Sequence, residues 1–321
     1  MIEIRDFKET DTEFKELARI DNLINHDSID HPDDDKQNWM IRDKSLHRDR
    51  LLLYKEGLLI GVMYYGQGRD KNNRTTFFTL HIDPKHNTKE SREILYNRML
   101  KKIKSFNSNK ILTSIYDHPN YDLVKQFLIE NQFKLVQTNR EYSCDITKVD
   151  LKKYQPLIKK LESEGIKFYD SKEEMAEFPN HYKKLEELEW TYSQDFPIPD
   201  GVEHTRPPFD HYMKILDNYY KNFYGTDIVA VMDGKYIGST NLEVYPKAEP
   251  HKAWTEGLGV LKEFRRKGLA TALKIKAIEK LLKKGITEVR TDNEENNPMY
   301  KINVALGFKP VPFSLEYMKE I

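Results

Sequence analysis

The chain has 321 residues, of which 38% are hydrophobic and 12% aromatic. That is enough apolar material for the cores of two ordinary domains of roughly 100–200 residues each. Its 52 basic side chains balance 52 acidic ones, so the net charge attracts neither nucleic acid nor an acidic membrane, and we expect neither as a partner. A single cysteine excludes an internal disulfide and a cysteine-rich zinc site.

The remaining compositional features also point away from several classes of protein. Cys144 lies in a strand-like run and is interpreted as a small buried hydrophobe rather than a nucleophile, since nothing nearby would lower its pKa. The histidines lack a paired spacing such as HExxH, so we predict no metal site. No run approaches the ~18 apolar residues that a membrane-spanning helix needs, and no signal peptide is recognisable. We expect a soluble, cytoplasmic protein, and the sequence does not predict its oligomeric state.

Hydrophobic periodicity predicts the same order of elements in each half: a strand, helices, a hairpin, a strand, a long helix, a strand, a helix and a strand. In the first half these elements are strand 2–4, helix 12–24, strands 51–54 and 58–65, strand 76–82, helix 89–106, strand 110–115, helix 120–131 and strand 134–144. In the second half they are strand 166–169, helices 175–192 and 209–219, strands 228–232 and 236–245, strand 254–260, helix 268–284, strand 288–291, helix 298–306 and strand 313–318. This order predicts two α/β units joined near residues 147–165.

A basic, glycine-containing segment separates a predicted strand from the long predicted helix of the second half. It reads Arg265-Arg266-Lys267-Gly268-Leu269-Ala270. The first N–H groups of a helix lack internal acceptors, and the helix dipole adds partial positive charge there, so a phosphate group suits this position. Alone, the segment indicates only an anion at a helix start, and an ordinary turn with solvated basic residues explains it equally well.

Two further motifs strengthen the prediction. The segment resembles the R/Q-x-x-G-x-G/A motif of GNAT-family acyl-CoA acyltransferases, preceded by the lead Val260-Leu-Lys-Glu-Phe-Arg265. Downstream, the run from Asn296 to Phe308 resembles the second GNAT signature, a helix that opens at Asn and closes in Leu-Gly-Phe. The resemblance is close over residues 228–309 and extends by element order to 166–321, as in bacterial tandem GNAT proteins.

The resemblance implies two tandem GNAT-like α/β (α+β) units, each with a mixed, mostly antiparallel central sheet flanked by helices. It divides the chain into a degenerate unit, residues 1–147, and an acetyl-CoA-binding unit, residues 148–321. The residues implied to bind acetyl-CoA are Leu258, Gly259, Val260, Arg265, Arg266, Lys267, Gly268, Leu269, Ala270, Thr271, Asn296 and Pro298. The backbone of Leu258 and Val260 would pair with the pantetheine arm, and residues 265–271 would hold the pyrophosphate.

Acetyl transfer to an amine needs a general base, because an ammonium has no lone pair. Glu256 is the best candidate, since alternation places it on the face of Leu258 and Val260, and Glu243 is second. Both could equally be ion-paired or solvent-facing glutamates. Asn303 stands where many GNAT enzymes have a tyrosine as general acid. Tyr300, one turn earlier, could replace that acid, water could act instead, and Asn303 could still polarise the thioester.

The first half departs further from the GNAT pattern. Its corresponding loop runs over residues 87–92, and Glu90 and Arg92 stand where small residues are needed. A carboxylate repels phosphate, so we expect this copy to hold no cofactor. In the second half, residues 190–199 are aromatic and turn-rich and form either a substrate wall or simple loop packing.

The leading hypothesis is therefore an acetyl-CoA-dependent N-acetyltransferase acting on a small-molecule or peptide amine by direct attack. A non-catalytic acyl-CoA-binding sensor or scaffold is the alternative, suggested by Asn303 and by the degenerate first half. Transfer to a hydroxyl group stays possible, because the motifs indicate the donor far better than the acceptor.

Overall fold

The computed structural model describes residues 2–25, 27–70, 74–199, 202–203, 205–297 and 299–321. The chain divides into two compact units. The first comprises Met1–Arg140, Ile198–Thr205 and Pro312–Ile321, and the second comprises Glu141–Pro197 and Arg206–Val311.

The first unit is an α/β structure with a mostly antiparallel sheet. Its elements are β1 (Ile2–Asp6), α1 (Asp11–Ile24), α2 (Pro32–Ile41), β2 (Arg48–Lys55), β3 (Leu58–Gln67), β4 (Thr75–Ile82), α3 (Lys89–Ile103), β5 (Lys110–Tyr116) and α4 (Asp122–Glu130). Its strands run in the order β1-β2-β3-β4-β5, antiparallel except for the parallel pair β4–β5. One face of the sheet packs against α3 and α4, and the other packs against Leu17 and Ile20 of α1.

The chain then enters the second unit through β6 (Lys134–Asp145). The elements that follow along the chain are α5 (Gln155–Ser163), β7 (Ile166–Asp170), α6 (Ser171–Glu174), α7 (His181–Ser193), α8 (Phe209–Asn222), β8 (Tyr224–Met232), β9 (Lys235–Val244), β10 (Lys252–Val260), α9 (Leu269–Lys283), β11 (Glu288–Glu294), α10 (Tyr300–Ala305) and β12 (Lys309–Glu320). The residues of β12 from Pro312 onward belong to the first unit. The strand order is β6-β11-β10-β9-β8-β7. Strands β10 and β11 are parallel, whereas β9 is antiparallel to β10 and to β8, and β8 is antiparallel to β7.

The sheet of the second unit is covered on both faces. The apolar side of α9, from Ala272 to Leu281, packs with α5 on one face. On the other face, Leu185, Leu188 and Tyr192 of α7 pack on Val229 and Val231. The two faces therefore differ in what can reach them, and the α7 face carries the polar residues described below.

The hairpin and the long helix predicted in the second half are confirmed, and the local backbone explains both. The turn between β8 and β9 has positive φ at Asp233 (49°) and Gly234 (77°), as a two-residue type I′ hairpin requires. Helix α9 ends at Lys283, and Gly285 follows with φ of 80°, the conformation in which glycine closes a helix.

Other elements differ from the sequence-based expectation. Helix α2 was not predicted, although His31 caps it, Pro32 opens it and three aspartates fill its first turn. The helix predicted over 175–192 begins only at His181. The closing strand, expected to complete the second unit, pairs with β5 of the first from Ser314–Tyr116 to Glu320–Lys110. Periodicity identifies a strand but not its partner.

A buried ion pair contributes to the stability of the second unit. Arg290 on β11 is 1% exposed, and its Nη2 donates to Glu141 Oε2 at 2.9 Å. Burial lowers the pKa of Arg290 to about 10.

Replacing Glu141 by leucine is expected to reduce the free energy of unfolding by about 3–5 kcal/mol, because it takes the carboxylate from a buried guanidinium. Urea unfolding followed by circular dichroism measures this. Glu263→Leu is the control, since its pair with Lys235 is more than half exposed and should contribute less than about 1 kcal/mol. Equal losses in the two variants would contradict the prediction.

Candidate functional site

Strands β10 and β11 separate part of the way along the sheet. Their parallel ladder comprises the pairs Lys252–Glu288, Ala253–Val289 and Trp254–Arg290, whereas β10 continues to Val260 and β11 to Glu294. Beyond Trp254, β10 continues to pair with β9 up to Val260, which lies opposite Gly238, while its described pairing with β11 has ended. This separation leaves the other edge of residues 255–260 open to an extended amide chain.

A β-bulge lies at the start of the separation. Thr255 stands opposite Leu242 and Gly257 opposite Asn241, so Glu256 is an extra residue without a cross-strand partner in the described ladder. The alternation of side chains along the strand predicted that Glu256 lies on the same face as Leu258. Because the bulge adds one residue at this point of the strand, that alternation does not hold here. The bulge instead displaces the Glu256 side chain from the regular ladder, and the residue is exposed to solvent.

Glu256 lies among other acidic groups. Desolvation by the surrounding protein, followed by repulsion from Glu243 and Asp292, raises the pKa of Glu256 to about 7. The side chain is reachable from solvent and close to half protonated near neutral pH. These are the properties required of a general base.

The basic segment lies at the start of α9, as predicted. Gly268 caps the helix with φ of 85°, and Arg266 also has a left-handed backbone with φ of 60°. A Cβ at Gly268 would lie 2.7 Å from Leu157 Cδ1. The N–H groups of Leu269, Ala270 and Thr271 precede the first intrahelical bond, from the Ala272 N–H to the Gly268 carbonyl at 3.0 Å. The helix therefore begins with outward donors beside cationic side chains.

The cations of this segment are held in two different ways. Arg265 Nε donates to the Val260 carbonyl at 2.8 Å, and its Nη2 donates to Asp195 Oδ2 at 2.6 Å. Lys262 Nζ is 2.9 Å from the other Asp195 oxygen. Arg266 and Lys267 are exposed. One carboxylate thus tethers the arginine nearest the strand, while two cations face solvent at the helix start.

Helix α10 contributes a buried amide. Asn303 is 1% exposed and its Nδ2 donates to Asn293 Oδ1 at 2.7 Å, while its Oδ1 has no hydrogen-bond partner in the described structure. Thr255 Oγ1, at the bulge, is buried and unpartnered by the same measure. Buried polar atoms without a hydrogen-bond partner are uncommon in folded proteins. Two such atoms lie on elements next to the open edge of β10, which is consistent with a site where a bound ligand supplies the missing hydrogen bonds.

Three further residues were predicted to contribute to this site, namely Asn296, Tyr300 and Pro298. Asn296 is exposed, and its Nδ2 donates to Glu294 Oε1 at 2.9 Å. Tyr300 is half-buried against the core of the second unit. Pro298 lies outside the described residues.

The face of the sheet under α7 carries a polar group of residues that the sequence analysis missed. Asp227 of β8 pairs with Asn241, which in turn pairs with Gly257 beside the bulge. Glu189 of α7 interacts electrostatically with Asp227. Tyrosines 192, 212, 219 and 220 surround these carboxylates. Two features of the sequence could have indicated this group: a charged residue inside the apolar run 226–231, and the high density of tyrosine in residues 212–220.

Comparison with known proteins agrees with this geometry. The model of the acetyltransferase (GNAT) family matches residues 184–304, a stretch that contains β10, the basic segment and α9. These residues form a GNAT-family domain. Within it, α9 begins at Leu269, directly after the basic segment, as the motif predicted, whereas the bulge at Glu256 was not predicted. A search of curated protein sequences gives no significant match.

Solved structures extend the fold likeness to the whole chain. A tandem GNAT protein from the clavulanic acid biosynthesis pathway, determined without AcCoA, is 16% identical with a TM-score of 0.79, covering 100% of this chain and 98% of that one. A GCN5-related N-acetyltransferase from Sphaerobacter thermophilus is 12% identical with a TM-score of 0.67, covering 99% and 95%. A glucosamine N-acetyltransferase region of a fungal multi-domain GH3 β-N-acetylglucosaminidase is 14% identical with a TM-score of 0.74, covering 99% of this chain and 38% of that one. The tandem GNAT fold with mostly antiparallel sheets is confirmed.

The first unit lacks two features of the GNAT domain. Its strands β4 and β5 also separate, after the pair Phe77–Leu112. However, the β3–β4 ladder runs from Gly61–Ile82 to Gln67–Thr76 without a bulge. The residue that the bulge displaces in the GNAT domain therefore has no counterpart here.

The helix start in the first unit is closed by its own side chains. The Ser91 N–H donates to Thr88 Oγ1 at 3.1 Å. Arg92 is buried and donates from Nη1 to Asn87 Oδ1 at 2.5 Å. The cap uses a donor that a phosphate would need, and the arginine occupies the space beside it.

Two further findings apply to all of the described residues. No helix among the described residues is long and apolar enough to cross a membrane. No group of three or more potential metal-binding side chains occurs within the same part of the chain.

Proposed function

We propose that the chain is an acetyl-CoA-dependent N-acetyltransferase and that its GNAT domain is the active unit. One observation carries the proposal: the open edge of β10, its bulge at Glu256 and the uncapped start of α9 belong to one strand–loop–helix segment. An extended, pyrophosphate-bearing thioester needs those three features in that order.

The residues of this segment divide the work of binding the donor. The backbone of Leu258, Gly259 and Val260 pairs with the pantetheine amides along the open edge. The pyrophosphate is bound by the N–H groups at the start of α9 and by the side chains of residues 265–267, with the Thr271 hydroxyl as a further donor. Asn296 and Pro298 are proposed for the opposite side of the arm.

The chemistry begins with removal of a proton from the acceptor ammonium by Glu256, directly or through water. The nitrogen lone pair then attacks the thioester carbonyl carbon, the C–S bond breaks, and the thiolate leaves. The acylated nitrogen loses its second proton to water, which leaves the neutral amide. Tyr300 is the candidate for the acid that protonates the thiolate, and water can supply this proton instead, because a thiolate is a good leaving group. Asn303, whose amide cannot protonate a thiolate and already donates to Asn293, is a candidate only for polarising the thioester.

A second candidate function rests on that same Asn303. Its buried, internally paired amide replaces the tyrosine expected of an enzyme, which favours an acyl-CoA-binding sensor or scaffold. The two candidates share the donor site and differ only in turnover.

Calorimetric titration with acetyl-CoA is expected to give one site per chain, because among the described residues the bulge on the separating strand and the open helix start occur together in the second unit alone. Two equivalent sites would contradict the assignment of the first unit as a copy without cofactor, and the absence of any binding would remove both candidate functions. Thiol release measured against a panel of amines then separates the two. Release with at least one amine supports the enzyme, and binding without release from any amine supports the sensor.

A further inference from the structure

Two acidic side chains lie on the α7 face of the GNAT domain without a basic partner. Asp227 is 4% exposed, and its Oδ2 accepts a hydrogen bond from the Tyr220 hydroxyl at 3.1 Å. Its Oδ1 has no hydrogen-bond partner among the described residues. Within the same residues, neither Asp227 nor Glu189 forms an ion pair with a lysine or arginine. A buried carboxylate with an unused oxygen is costly unless something else satisfies it.

The polar network behind Asp227 holds it in place. Tyr220 Oη is 2.9 Å from Ser171 Oγ, and Ser171 Oγ is 2.9 Å from His181 Nε2. The other ring nitrogen of His181 is 2.9 Å from the Tyr236 hydroxyl. These contacts engage one oxygen of Asp227 and leave the second for another group.

The charge balance around the pair is also incomplete. Burial raises the pKa of Glu189, and repulsion from Asp227 adds to the shift. Burial likewise raises the pKa of Asp227 above its ordinary value. Two carboxylates that cannot both ionise freely are a ready site for one positive charge.

The position of the pair relates it to the reacting centre. Asp227, Asn241 and Gly257 are successive cross-strand partners on β8, β9 and β10, and Gly257 follows Glu256 directly. Two strand spacings place Asp227 about 10 Å from the bulge, within the length of a short alkyl chain. The surrounding tyrosines provide ring surface suited to methylene groups and to an ammonium.

We propose that Asp227 and Glu189 bind a second, non-reacting ammonium group of the acceptor, and that the acceptor is an aliphatic diamine. This inference rests on the proposed function, since it assigns the substrate class of the same site. Glu256 then deprotonates one end of the diamine while the buried pair binds the other end.

The test compares tetramethylenediamine with butylamine, a monoamine of equal carbon length, in binding and in turnover. Calorimetry is expected to show diamine binding to the wild-type protein, with affinity reduced about 30-fold or more in Asp227→Asn and in Glu189→Gln. Asparagine can still accept from Tyr220, so Asp227→Asn preserves the supporting network. Asp217→Asn, on an exposed carboxylate of α8, is the matched control and should leave diamine affinity unchanged.

Turnover gives the second readout. The ratio of kcat/KM for the diamine to that for the monoamine should fall about 30-fold in both variants, mainly through KM. Acetyl-CoA affinity should be unaffected in both variants. If the two carboxylates only stabilised the fold, their replacement would be expected to weaken acetyl-CoA binding as well. Equal wild-type affinity for the two amines, or a diamine preference that survives both substitutions, would overturn the inference. Failure of acetyl-CoA to bind would instead remove the proposed function, while diamine binding could still be measured by itself.

Discussion

Replacing Gly268 by glutamate is expected to weaken acetyl-CoA binding at least ~100-fold, because it places a carboxylate where the pyrophosphate belongs. The side chain would also cover the N–H groups at the start of α9. The loss is expected to come from charge and bulk at the site rather than from unfolding. A Cβ at Gly268 meets only the flexible end of Leu157, which can move aside.

Gly285 supplies a matched control at the other end of the same helix. Its φ of 80° is close to the 85° of Gly268, and a Cβ there would have no neighbour within 4 Å. Glutamate at either position therefore incurs a similar left-handed backbone penalty of about 1–2 kcal/mol. Calorimetry should show full acetyl-CoA affinity in Gly285→Glu, and thermal unfolding should show comparable Tm values in the two variants. Wild-type affinity in Gly268→Glu would contradict the proposed pyrophosphate site.

Replacing Glu256 by glutamine is expected to lower kcat by about 10²–10⁴-fold, the usual contribution of a general base. Glutamine keeps the size of the side chain and its place in the bulge but cannot take a proton. Because the pKa of Glu256 is raised to about 7, the active, deprotonated form increases as pH rises through neutrality. The wild-type rate should therefore climb between about pH 6 and pH 8, and the variant should lose this dependence.

The matched control is Glu263→Gln, which alters an exposed glutamate of the same strand–helix connection that is paired with Lys235. Its kcat and pH profile should match the wild type. Initial rates of thiol release across the pH range measure both variants. A Glu256→Gln protein with normal kcat and an unchanged profile would exclude Glu256 as the base.

Local chemistry made part of this site predictable. The break between an apolar strand and Gly268 gave the start of α9 to within one residue. Asp233 and Gly234 likewise fixed the hairpin, because their backbone preferences decide the turn without any distant contact. The loop of the first unit was also interpretable, since Arg92 is large and charged wherever it lies.

The features that were missed depend on distant residues. A bulge such as that at Glu256 arises from the register between two strands, and a period of two residues cannot reveal it. Asp227 reads as a polar interruption in a strand, and only the packing of α7 and α8 brings Glu189 and the tyrosines to it. The partner of β12 could not be predicted either, because β5 is far away in the sequence.

The pairing of β12 with β5 joins a strand that is synthesised early to one that is synthesised last. The side-chain oxygens of Ser314 on β12 and Ser114 on β5 lie 2.7 Å apart, although 200 residues of chain separate them. On the ribosome, β5 emerges early and keeps an unpaired edge while the strands of the second unit are made. Such an edge can pair with the wrong strand, and closing so long a loop is slow. The sheet of the unit that is translated first can therefore be completed only after its last strand, β12, has been made.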